Sequence, residues 1–310
     1  MTDLADATHA PPLAAAQRAR VAVPFIVITL IWSSTWLVIR GQLGAVPPAW
    51  SVTYRFAIAS VVMLAYAWRT GTPLRFTARQ HGLAFLYGVA QYALTYYATY
   101  LAEANITSGL VAVVFALLIV PNALFGWAFL RQGVSRPFLL GSGLALFGIG
   151  LLFAHEIEAG AARHVDVLAG IGWAGLAVLF SSTANVMQAS EQAKAVPVVS
   201  LVAWGMVWGT LFDTAASLLV SGPPVLPADP LYWAGTLYLG LVGSSIAFTL
   251  YFIVIRAIGP ARAAYSSVLI PVLAMTLSTI FEHYRWSAEA IAGAVLVMAG
   301  LVVAMRAKAR

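Results

Sequence analysis

Tyr87, Gln91 and Thr95 stand at i, i+4 and i+8 within an apolar run, so on a helix they would share one face. That face would offer a passing solute an aromatic ring and two hydrogen-bonding groups. The theme recurs: Ser33 and Ser34, Asn122, Ser181 and Ser182, Ser244 and Ser245, and Ser266 and Ser267 each fall near the middle of an apolar run. In hydrocarbon an unpaired polar group costs several kcal/mol, so such side chains turn toward a cavity or toward another helix. The candidate substrate-binding set is Ser33, Trp36, Tyr87, Gln91, Thr95, Asn122, Ser181, Asn185, Ser244, Tyr265 and Ser267. A packed interhelical seam would use the Tyr87 stripe equally well. The serines also suit close packing, or bonding to their own i−4 carbonyls.

Two prolines add a second kind of site. Pro121 and Pro271 each free a backbone carbonyl one turn earlier, at Leu117 and Ser267, in the middle of an apolar run. Matched helix breaks of this kind mark binding sites or gates in transporters, and a simple kink is the alternative use. Ionisable residues inside the runs are few. Asp213 is the candidate for a coupling proton, whereas Arg55 reads as architectural; proton coupling and passive facilitation both stay open.

Bond-breaking chemistry finds no support. The chain has no cysteine, which excludes disulfides, thiolate catalysis and Cys-based metal sites. Its five histidines (His9, His81, His155, His164 and His283) lie in the N-terminal tail or near the ends of runs, and neither HExxH nor GxSxG occurs. No enzyme, metal site or cofactor is expected.

The elements that must position these residues are membrane spans. The 310 residues are 61% hydrophobic and 9% charged, where a soluble globular chain carries about 25% charged residues. Windows meeting or approaching the span length of about 20 apolar residues fall near 24–43, 49–67, 81–101, 107–130, 138–154, 168–190, 197–220, 231–255, 262–281 and 288–305. They leave a flexible tail over 1–23 and no room for a soluble domain. Arg18, Arg20, Arg69, Arg75, Arg79, Arg131, Arg136, Lys194, Arg256, Arg262, Arg306, Lys308 and Arg310 collect on one side. Arg40, Arg163 and Arg285 fall on the other, which places both termini in the cytoplasm. The formal charge of +6 is thus a topology signal spread over short gaps, not a nucleic-acid patch.

The halves repeat. Trp32-Ser33-Ser34-Thr35 returns as Phe180-Ser181-Ser182-Thr183, Pro121 as Pro271, and the Gly141/Gly148 pair as Gly293/Gly300, each roughly 150 residues on. Two units of five spans, 24–160 and 161–310, must enter the bilayer from opposite sides because five is odd. The expected fold is therefore all-α: ten transmembrane helices as two inverted-topology five-helix repeats around a central cavity.

These landmarks resemble the drug/metabolite transporter superfamily, specifically its ten-helix EamA-type exporters, over residues 24–305. Trp32-Ser33-Ser34-Thr35-Trp36 is similar to the family's opening Trp-Gly-Ser-Asn-Phe pattern and is followed by Pro47-Pro48 and Arg55-Phe56. The closing pattern runs through Ala261 to Ser267, Pro271, Phe281-Glu282-His283 at the family's Gly-Glu-Arg turn, and Gly293 to Gly300. Ser33 replaces a family Gly, and Arg131-Gln132 stands where the first half's Gly-Glu-Arg turn would be. The resemblance implies a secondary transporter of the bacterial inner membrane that exports a small solute by alternating access. Within the superfamily the chain is similar to amino-acid exporters, including aromatic amino-acid exporters of the YddG type, which implies an amino acid or related metabolite as substrate. Export of other drugs or metabolites is the alternative, with a channel or an intramembrane enzyme behind it. The expected partners are the solute and the lipid bilayer, with the chain a monomer or, through Gly205-x-x-x-Gly209, a homodimer.

Overall fold

Apolar runs of this length can satisfy their backbone in hydrocarbon only as helices or closed barrels, and the chain takes the helical solution. The computed structural model describes residues 15–131, 133–159, 164–251 and 266–306. Among these residues there is no strand, and ten long helical segments follow one another. They are α1 Ala15–Gln42, α2 Pro48–Arg69, α3 78–105, α4 Ser108–Leu130, α5 Arg136–Ala159, α6 His164–Ala189, α7 Val198–Ser221, α8 Pro230–Tyr251, α9 Ser266–Phe281 and α10 Ala288–Arg306. A single turn, Glu191–Lys194, joins α6 to α7. The first helix starts at Ala15 rather than Pro24, which it carries inside. Local chemistry sets several starts: proline opens α2 and α8, Asp229 caps α8, and Thr77 with Gln80 forms a capping box on α3.

The packing is that of two inverted halves. Helices α2 and α7, α4 and α9, and α5 and α10 each pack against their own counterpart. The remaining major contacts come in related pairs: α3 lies on α7 as α8 lies on α2, α3 on α6 as α8 on α1, and α6 on α4 as α1 on α9. At the α5–α10 crossing Gly141 faces Gly300 and Gly148 faces Gly293, so numbering rises along one helix as it falls along the other. A Cβ on Gly300 would stand 2.5 Å from the Gly141 carbonyl oxygen, and one on Gly293 2.6 Å from that of Gly148. Only glycine lets the two backbones meet there.

Two backbone irregularities also recur in both halves. A π turn occupies Val89–Leu94 in α3 and Tyr238–Ile246 in α8. In each, the hydroxyl at its C-terminal side donates to the carbonyl five residues back, Thr95 to Ala90 at 2.8 Å and Ser245 to Gly240 at 3.1 Å. The α4 and α9 helices end on left-handed residues, Arg131 with φ 56° and His283 with φ 57°. The prolines differ: α4 is interrupted at Leu117–Leu118 just before Pro121, where the Leu117 carbonyl accepts the Val120 N–H at 2.8 Å instead. Pro271 stands inside a continuous helix.

Gly205 and Gly209 are used within the chain. A Cβ on Gly88 of α3 would lie 2.1 Å from the Gly205 carbonyl oxygen, and one on Gly209 would lie 2.8 Å from that of Gly88. The motif therefore joins α7 to α3 and is not free to join a second protomer.

Candidate functional site

A cavity of about 230 Å3 opens within the bundle, walled by α1, α3, α4, α6, α8 and α9. The interruption of α4 and the π turn of α3 both border it. Helix α1 contributes Trp32, Thr35 and Trp36; α3 contributes Gln91, Thr95, Tyr96 and Thr99; α4 contributes Phe115, Leu118 and Asn122. Ser181 and Asn185 come from α6, Phe248 and Tyr251 from α8, and Ile270 and Pro271 from α9. No Asp, Glu, Lys or Arg lines it among the described residues.

Six of the lining residues are aromatic, and their rings brace one another. Trp36 lies 5.0 Å from Phe115, Trp32 5.0 Å from Tyr251, and Trp32 5.7 Å edge-on to Phe248, centroid to centroid. The Trp36 indole N–H is buried without a partner among the described residues and is closed off from the cavity surface. Other polar groups remain available to a guest. The Asn185 amide donates to Asn122 Oδ1 at 3.3 Å, which leaves the Asn122 amide N–H2 and the Asn185 carbonyl uncommitted among the described residues. Gln91 likewise makes no side-chain hydrogen bond to a described residue. By contrast, Thr95 donates to Ala90 O and Thr35 to Trp32 O. The site can therefore hold an apolar or aromatic group by packing and orient it with a few neutral hydrogen bonds.

Of the residues singled out in the sequence, Trp36, Gln91, Thr95, Asn122, Ser181, Asn185 and Pro271 come together here. Others lie elsewhere. Ser33 is buried and donates to Thr29 O at 2.6 Å, and Ser244 accepts from Arg55 Nε at 3.1 Å. Tyr87 leaves the stripe because the π turn lies between it and Thr95, and a wider turn breaks the i, i+4 alignment. Its hydroxyl instead meets Tyr92 at 2.8 Å and accepts from Gln188. Pro121 is buried beside the α4 interruption, off the wall. Asp213 is buried on α7 away from the cavity, with Oδ2 unpartnered. Tyr265 and the Ser267 side chain lie outside the described residues. Sequence reasoning did not single out Thr35, Tyr96, Thr99, Phe248 or Tyr251. Thr99 continues the Gln91–Thr95 spacing by one more turn, a signal that was present; Tyr96 carried none.

Polar clusters tie the helices at both ends of the cavity. Beyond Ile39, Thr99 and Ala112, Arg40 of α1 donates to the Glu103 carbonyl oxygen and lies 3.7 Å from the Glu282 carboxylate. Glu282 in turn accepts from the Ser108 N–H at 3.1 Å, the Ser108 hydroxyl at 2.9 Å and the Ser278 hydroxyl. Four helices are thereby joined: α1, α3, α4 and α9. At the other end the Tyr92–Tyr87–Gln188 chain joins α3 to α6.

Comparison with known proteins agrees with this architecture. Residues 21–154 and 168–306 each match the EamA-like transporter family, one copy per half. A probable amino-acid metabolite efflux pump of Salmonella typhimurium is 24% identical, covering 90% of this chain and 92% of its own length. The uncharacterized inner membrane transporter YedA of Escherichia coli K12 is 28% identical over 81% of this chain and 79% of its own. A solved crystal structure superimposes with a TM-score of 0.66 at 20% identity, covering 93% of this chain and 97% of that one, a likeness of fold.

Proposed function

The chain belongs to the EamA-like transporter family, and from that premise we propose that it exports amino acids, aromatic ones among them, or metabolites of similar size, by alternating access. The observation that carries this reading is the cavity: uncharged, walled by aromatic rings, and enclosed by helices drawn in related sets from two opposed halves. At about 230 Å3 it falls below the roughly 300–1,000 Å3 typical of sites for drug-sized ligands, which favours small solutes over large drugs. The relative described as a probable amino-acid metabolite efflux pump supports the same class.

Polar ties at both ends of the cavity suit a carrier that opens one end at a time, whereas a channel would need a continuous path. We place the protein in a bacterial inner membrane with both termini cytoplasmic, supported by the Lys and Arg distribution and by the inner-membrane relative. The Gly205/Gly209 contact within the chain favours a monomer. Asp213 is the candidate proton site.

The test is uptake of an amino-acid panel into proteoliposomes, with and without a pH gradient. Saturable, protein-dependent flux of at least one amino acid is expected. Flux that never saturates would favour a channel, and no flux of any member would remove the reading. A flux indifferent to the gradient, or unchanged in Asp213→Asn, would take Asp213 out of the mechanism.

A further inference from the structure

Arg55 of α2 is 1% exposed, the largest fully buried side chain among the described residues. Removing a cation from water costs several kcal/mol unless an opposite charge and hydrogen bonds replace the solvent. Here the replacement is incomplete. Nε donates to the Ser244 hydroxyl at 3.1 Å, and the guanidinium carbon sits 4.2 Å above the Tyr96 ring and 5.3 Å from that of Phe56. Among the described residues Nη1 has no partner and no carboxylate comes within ion-pair distance, while the Tyr100 hydroxyl and, at longer range, the Glu103 carboxyl interact with the guanidinium electrostatically. Glu103, further along α3, is buried with both carboxylate oxygens unbonded, and the Arg40 guanidinium is engaged by its main-chain oxygen and by Glu282.

The position of this charge matters more than its burial. Tyr96, on which the guanidinium rests, lines the cavity, and so does Thr35. Thr35 and Arg55 both border the notch at Gly243, where a Cβ would lie 2.7 Å from Thr35 Cγ2 and 3.7 Å from Arg55 Nη2. The cation thus stands one side chain behind the wall of a cavity that has no charge of its own, with no ion pair among the described residues to neutralise it at contact distance, and part of its field falls across that space. We propose that Arg55 is a specificity-determining residue that selects solutes bearing a carboxylate and turns that carboxylate toward the Thr35–Tyr96 wall. This rests on the transport reading above and deepens it by naming the group recognised. The neutral amides and the aromatic rings on the opposite walls then receive the rest of the solute.

The experiment compares L-phenylalanine with L-phenylalaninamide in proteoliposomes, each corrected for flux into protein-free liposomes, in the native protein and in Arg55→Gln. The ratio of the two fluxes is independent of how much protein is inserted. The native protein is expected to favour the acid by about tenfold or more, from a unit charge one side-chain layer away in a partly desolvated site. Arg55→Gln should bring the ratio close to one while still moving the amide. A native ratio near one overturns the proposal, as does a ratio that survives in Arg55→Gln. Should Arg55→Gln fail to reach the membrane, Arg55→Met, which fills the space with an uncharged apolar chain of similar length, replaces it, with Arg55→Lys as the variant that keeps the charge. A ratio near one in Arg55→Met with a preference for the acid retained in Arg55→Lys supports the assignment, and an unchanged ratio in Arg55→Met overturns it. A native protein that moves neither compound overturns the transport reading itself, a different outcome from transport without preference.

Discussion

Gln91 and Tyr87 lie on one helix a turn apart, yet their substitutions should fail in opposite ways. The Gln91 amide faces the cavity and makes no hydrogen bond to a described residue, so Gln91→Leu, which preserves volume, strands no internal partner. Its loss should be felt only when a solute is bound. Two hydrogen bonds to the solute at about 0.5–1.5 kcal/mol each amount to about 1–3 kcal/mol, or about a 5- to 150-fold rise in KM. Thermal stability in detergent should barely change. Tyr87→Phe removes a hydroxyl bonded to both Tyr92 and Gln188 in a fully buried place. Two partners are stranded, at about 1–3 kcal/mol each, and the cost appears as a lower Tm with KM for the solute nearly intact. The assay is paired: KM from proteoliposome flux and Tm from tryptophan fluorescence of the same preparations. If Gln91→Leu transported normally, or if it melted early while Tyr87→Phe did not, the assignment of these residues to opposite sides of the cavity wall would be refuted.

Trp36→Phe keeps a ring but deletes an indole N–H that is buried without a partner among the described residues, so Tm should hold or rise while KM changes by less than about 2-fold, measured in the same pair of assays. Gly300→Val places a Cβ 2.4 Å from the Ala145 amide nitrogen; the α5–α10 pair must separate, and the melting curve should register about 1–3 kcal/mol of lost stability. Because the chain has no cysteine, a single Thr99→Cys reports access to the cavity. Adding Glu282→Gln, which weakens the tie to Arg40, should speed its labelling by a membrane-impermeant thiol reagent about tenfold for each 1.4 kcal/mol of lost closure, and an unchanged labelling rate would show that this cluster does not hold that end shut.

The sequence by itself determined the spans, the repeat and the class of chemistry. Each follows from a property that a segment carries alone. About 20 apolar residues must enter hydrocarbon as a helix whatever surrounds them, and the Gly141/Gly148 pair returns as Gly293/Gly300, whereas the close contact between the two pairs belongs to the fold. The depth of the polar residues was legible for the same reason, and Gln91, Thr95, Asn122, Ser181 and Asn185 do meet at one cavity. Only the tertiary structure decided direction. Whether a mid-span side chain faces a solute, a neighbour or its own backbone depends on the accumulated phase of its helix and on the helix packed opposite. One π turn took Tyr87 out of its stripe, Ser33 settled on a carbonyl four residues back, and Ser244 was claimed by an arginine on another helix. Arg55 shows the difference most clearly: its depth and an architectural role could be read from the sequence, and the fold set its charge behind Tyr96. Burial in a bilayer is a free energy of one segment in a solvent, whereas a site is a free energy of several segments in one another's company.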